Sequence, residues 1–135
     1  MPNESETRKI IDEQLRKVGW DADTENLRYS NGTRPQKGRN IAIAEWQTDS
    51  GFVDYALFVG MKMVATIEAK ASYKDVCAVI DCQCKDYSSN IRDEDKSYLL
   101  GDWCGYKVPF TFATNGRPYC PQLETKSGIW FLDLR

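Results

Sequence analysis

No histidine occurs among the 135 residues. That one absence removes Ser-His-Asp and Cys-His nucleophilic catalysis, histidine-ligated zinc and imidazole proton shuttling together. Acid–base or metal chemistry must then run on carboxylates, lysine, tyrosine or cysteine. Long apolar runs are missing too: stretches such as 55–60 and 64–67 fall far short of the roughly 20 residues a membrane helix needs. The N-terminus is polar where a signal peptide is apolar, so an intracellular, cytoplasmic setting is expected. Neither sign of charge dominates. Eighteen Lys and Arg against 20 Asp and Glu leave a formal charge of -2, so a nucleic-acid role needs local basic patches or a bound cation rather than a global field.

The cysteines lack a pattern. Five of them, at 77, 82, 84, 104 and 120, make an odd count with no CxxC, which predicts free thiols rather than a disulfide framework. Cys82 and Cys84 with Cys104 and Cys120 could supply four thiolates to zinc or an iron–sulfur cluster. On a helix, however, i and i+2 side chains point apart, and no cysteine-bound metal is expected.

What is present is the composition of one soluble globular domain spanning 1–135. Ile10, Ile11, Leu15 and Val18 recur at helical spacing within 6–18, with Ser5 as the expected N-cap and Gly19 as the stop. The basic, turn-rich stretch 31–39 reads either as a phosphate contact or as a solvated loop. Strands are predicted at 41–46, 52–59 and 63–70, joined by connections short enough for antiparallel hairpins. The period then changes, because Val76, Ile80, Gln83 and Tyr87 mark one face of a helix over 74–88. A charged loop follows at 90–96, and strands at 108–114 and 128–134 close the chain.

Acids interrupt two of these apolar strands. Alternation puts Val64, Thr66, Glu68 and Lys70 on one face of the third strand, and Asp54 with Ala56 and Phe58 on one face of the second. Burying a carboxylate or an ammonium alone costs several kcal/mol, so Glu68 and Lys70 form either a salt bridge at a strand end or part of a site. Across a tight turn at Gly60, Asp54 and Glu68 can approach each other. Two converging carboxylates without histidine suit a hard divalent cation with oxygen ligands, and magnesium fits best.

Val53-Asp54, then Glu68-Ala69-Lys70 fourteen positions after Asp54, resembles the PD-(D/E)xK nuclease motif with Val53 in place of the proline. Gln83-Cys84-Lys85-Asp86-Tyr87 matches the QxxxY motif of the helicase-nuclease branch, its amide and phenol four residues apart on one helix face. More widely, Thr7-Arg8, Ile11-Asp12, Leu15, Gly19-Trp20, Gly32-Thr33-Arg34-Pro35, Gly38-Arg39-Asn40, Ala44-Glu45-Trp46 and Asp54-Tyr55-Ala56-Leu57 are similar to the N-terminal endonuclease domain of the R subunit of type I restriction enzymes.

The resemblance implies an α/β, restriction-endonuclease-like core: a mixed sheet flanked by helices, in the order α-β-β-β-α-β-β. It implies magnesium-dependent hydrolysis of DNA, with Asp54, Glu68 and the Ala69 carbonyl on the metal. Lys70 would act on the attacking water, and Gln83 and Tyr87 would orient Lys70 and the scissile strand. Glu6, Asp12, Glu13 and Glu45 are lesser acidic candidates, read first as charges on solvated surfaces. Partners implied are DNA and the methyltransferase and specificity subunits. ATP would be used only by a translocase domain, of which the sequence holds no GxxxxGK[ST] sign. The alternatives are a stand-alone repair or junction nuclease of the same fold and a non-catalytic docking module.

Overall fold

The strand-like runs between residues 40 and 69 form an antiparallel meander in the computed structural model, which describes residues 4–70, 85–116 and 129–135. Strands β2 (Asn40–Thr48), β3 (Gly51–Val59) and β4 (Lys62–Ala69) are each slightly offset from the predicted runs. The β3–β4 turn passes through Gly60 at φ 59, a left-handed conformation that costs glycine little. A two-residue strand that sequence periodicity does not reveal, β1 (Asp21–Ala22), pairs parallel to β2. Strand β5 (Phe110–Thr114) lies parallel to β4, and β6 (Ile129–Asp133) runs antiparallel to β5. The result is a mixed six-stranded sheet in sequential order from β1 to β6.

Both faces of this sheet are covered, which is why 41–44 reads as an unbroken apolar run and is fully buried. Helix α1 (Glu4–Lys17) lays Ile11 and Leu15 on one face, against Ala22, Ala42, Tyr55, Leu57, Ala65, Ile67 and Ala69. The helix begins ahead of Ser5, so Ser5 lies in its first turn and is not the N-cap. Gly19, at φ 103, ends the helical path as expected. On the opposite face Ile41, Ile43, Trp46, Val53, Ala56, Phe58, Met63, Ile91 and Val108 form a second cluster. Trp46 is its centre, with Phe58, Tyr29 and Tyr98 rings 4.9, 5.0 and 6.0 Å away and its indole N–H donating to Asp95 Oδ2 at 3.1 Å. Each such side chain taken from water contributes about 1.5–3 kcal/mol.

Of the helix expected over 74–88, the described part is a short α2 (Lys85–Ser89), whose Tyr87 packs against the Trp46 cluster. The expected loop at 90–96 instead contains a 3-10 helix, Asp93–Tyr98. The basic stretch 31–39 is partly structural: Arg34 stacks 3.8 Å over Tyr29, and Arg39 pairs with Asp21 at 3.0 Å. Cys104 is exposed and free, and the other four cysteines lie outside the described residues. Among the described residues no helix is long and apolar enough to cross a membrane.

Two departures from strict alternation shape the end of the sheet. Between Leu57 and Phe58 the pairing with β4 slips by one residue. Val64 consequently packs on the α1 side with Ala65, rather than on the face of Thr66 and Glu68. The second departure lies where β2 and β3 carry acids. Val53 belongs to the Trp46 cluster with Ala56 and Phe58, while Tyr55 and Leu57 face α1, so the alternation of β3 breaks at Asp54. Opposite it, Glu45 adopts φ 53, a conformation that is strained for a residue with a Cβ.

Candidate active site

The break at Asp54 frees its side chain from either packed face. Tyr55 pairs with Ile67, and one further step of that register sets Asp54 opposite Glu68. Asp54 Oδ2 accepts a hydrogen bond from the backbone N–H of Ala69 at 2.7 Å. The carboxylate is thus seated on the peptide that joins Glu68 to Ala69, one residue before Lys70. Glu68 is buried at 4% exposure and Ala69 is fully buried, while Lys70 is half-buried with its backbone N–H bonded to the Thr114 carbonyl of β5 at 2.9 Å. Asp54 therefore stands beside the Glu68–Ala69 peptide at the end of β4, one residue short of Lys70. Tyr87 lies on the sheet face opposite α1, near Gly51 at the start of β3. Gln83 lies outside the described residues.

The lesser acidic candidates separate cleanly. Glu6 and Glu13 are exposed, Glu13 beside Lys17 at 4.0 Å. Asp12 is buried, contrary to its reading as a solvated helix charge. Its carboxylate accepts from the Tyr55 hydroxyl at 2.6 Å and from the Thr24 hydroxyl and N–H at 2.8 and 2.9 Å. That arrangement anchors α1 and commits the Asp12 carboxylate to the fold. Glu45 is ion-paired with Arg28.

Sequence reasoning passed over Arg8. Its guanidinium, in a side chain only 9% exposed, lies 3.3 Å from Asp54 Oδ1, donates to the Asp54 carbonyl at 3.1 Å, and sits 4.6 Å over the Tyr55 ring. Burial works against its charge, but Tyr55 and Asp54 outweigh burial, and Arg8 is held more firmly protonated than an ordinary arginine. A signal existed: Arg8, Ile11, Asp12 and Leu15 fall on one helix face, so a cation was bound to be carried inward with the apolar stripe. Arg8, Asp12, Arg28 and Glu45 also line an open cleft of about 830 Å³ on the α1 side.

The candidate ligands are oxygen donors alone, the carboxylates of Asp54 and Glu68 and the Ala69 carbonyl, with the Arg8 cation resting on Asp54. Such a set suits a hard divalent ion rather than a soft metal. Among the described residues no three His, Cys, Asp or Glu side chains group to hold a metal. An ion at Asp54 and Glu68 would complete its shell with a carbonyl, water or substrate oxygens.

Residues 21–135 match the family described as the second domain of the type I restriction enzyme EcoKI endonuclease subunit. The chain belongs to this family. The endonuclease subunit of the type I restriction enzyme EcoKI from Escherichia coli (strain K12) is 40% identical over 161 aligned residues, which cover 98% of this chain and 14% of the relative. The type I restriction domain seen here therefore spans a small part of its relative's length. No solved structure matches the chain.

Proposed function

We propose that this chain is the DNA-cleaving domain of a type I restriction endonuclease subunit, a PD-(D/E)xK nuclease that hydrolyses phosphodiester bonds with magnesium. The observation that carries the reading is the 2.7 Å hydrogen bond from the Ala69 N–H to Asp54, which sets Asp54 against the backbone of the Glu-Ala-Lys segment. Family membership supports it independently.

Asp54, Glu68 and the Ala69 carbonyl would hold the magnesium ion, which when bound supplies charge relief to the phosphate and acidifies its water. The chain's own residues do the rest. Lys70 orients the attacking water, helps take its proton and places positive charge beside the phosphate. Gln83 and Tyr87 orient Lys70 and the scissile strand. DNA is the substrate, and the domain cuts without sequence preference of its own, while methyltransferase and specificity subunits choose the site. ATP-driven translocation belongs to a motor domain of the full-length subunit, and the complex works in the cytoplasm.

The test uses the full-length subunit in its assembled complex, with plasmid DNA, ATP and magnesium. Asp54→Ala, Glu68→Ala and Lys70→Ala should each abolish cleavage while ATP hydrolysis continues. Cleavage retained in any of the three would contradict the assignment of that residue.

A further inference from the structure

Arg8 is the unusual member of the site, a nearly buried cation set against a carboxylate that is read as a metal ligand. It does not get there by chance of rotamer. The Tyr55 hydroxyl reaches both Asp12 Oδ1 at 2.6 Å and the Arg8 carbonyl at 3.2 Å, and Thr24 holds Asp12 from the other side. These contacts fix the first half of α1 on β3, and the Tyr55 ring supports the guanidinium from below at 4.6 Å. With the helix so placed, Arg8 addresses Asp54 twice, through Oδ1 and through the main-chain carbonyl. Asp54 Oδ2 is left to the Ala69 N–H.

We infer that Arg8 is the resident counter-ion of the metal site, neutralising Asp54 while no divalent ion is bound and yielding Oδ1 to the ion when one arrives. The inference rests on Asp54 and Glu68 being the metal ligands. Asp54 is a carboxylate held among buried neighbours, and the guanidinium fixed on α1 neutralises it there without leaving its helix. The same positive charge opposes an incoming dication. Arg8 therefore stabilises the metal-free fold and weakens metal binding.

The sign of the effect on affinity separates this role from plain scaffolding, since a residue that only built the site would weaken metal binding when lost. The experiment takes the whole chain, titrates it with Mg²⁺ by calorimetry and records its thermal midpoint with and without Mg²⁺. Arg8→Gln should lower the metal-free midpoint, bind Mg²⁺ roughly three- to tenfold more tightly through loss of one like charge, and show a larger upward midpoint shift on adding Mg²⁺. Arg8→Met removes the same charge while filling the volume, and gives the same comparison should the glutamine variant not fold. Arg8→Lys should return the affinity to near the wild-type value. Weaker or unchanged Mg²⁺ binding in the charge-removing variants overturns the inference while leaving the metal site intact. Asp54→Asn and Glu68→Gln are the controls: if both bind Mg²⁺ like the wild type, the metal-site reading fails and the counter-ion role falls with it.

Discussion

The Tyr55 hydroxyl donates to Asp12 Oδ1 at 2.6 Å, joining the middle of β3 to the middle of α1 across the buried face of the sheet. Burial raises the Tyr55 phenol above its ordinary value, so it stays a donor at any working pH. Tyr55→Phe keeps the ring under Arg8 but withdraws a hydrogen bond to a buried carboxylate. The expected cost is about 1.5–3 kcal/mol, the range for hydrogen bonds to charged groups, measured as a lower urea midpoint. A loss under about 0.5 kcal/mol would mean that Thr24 alone satisfies Asp12.

Glu45 tests whether the end of β2 stores strain. Its φ of 53 is costly for any residue with a Cβ, and its carboxylate is paired with Arg28. Glu45→Ala and Glu45→Gly both remove the ion pair, so their difference isolates the backbone. Glycine should be the more stable of the two by about 1 kcal/mol in parallel denaturation curves. Equal stabilities would show that the backbone relaxes once the Arg28 pair is gone.

How far the sequence reveals this arrangement depends on which force sets each part. The β2–β4 meander and the approach of Asp54 to the backbone of β4 at Ala69 follow from local periodicity and short turns, and both are legible. Alternation alone misplaces Val53 and Val64, because the slip at Leu57 and the left-handed Glu45 are settled by packing against Trp46 and α1. Strand β1 is two residues long and leaves no period to read. Asp12 and Arg8 look like ordinary charges on a helix, and their roles arise only from partners 43 and 46 positions away.

Asp95 should give the fold a measurable pH signature. Burial beneath Trp46 pushes its carboxyl above the ordinary value, and the indole N–H only partly offsets this. With the folded value raised, the native state binds more protons than the unfolded chain between the two values. Its stabilising contribution is fully present below the unfolded carboxyl's value and is lost as pH rises through the folded one. Asp95→Asn keeps an acceptor oxygen for Trp46 and cannot ionise. Urea midpoints of the wild type and of Asp95→Asn should therefore diverge in favour of the variant as pH rises from about 4 to neutrality. A constant difference across the series would show that Asp95 does not titrate in that window.

Tyr87 carries two separable contributions, a ring and a hydroxyl. The ring packs on the Trp46 cluster, close enough to Gly51 that a Cβ there would lie 3.8 Å from its Cε1. Tyr87→Phe retains that packing, so the thermal midpoint of the chain should change little. If the phenol orients Lys70 or the scissile phosphate, cleavage by the full-length complex should slow by about 10- to 100-fold, the scale on which positioning contacts act. That is a smaller loss than removing Asp54 or Glu68, because the charge on the reacting phosphate would still be met. DNA binding, measured separately, should stay near the wild-type value. Tyr87→Ala, by contrast, should lower stability as well as rate by opening a gap beside Trp46. Should Tyr87→Phe cleave at the full rate while Tyr87→Ala unfolds more readily, the residue serves packing alone, and the QxxxY match then carries no catalytic meaning in this chain.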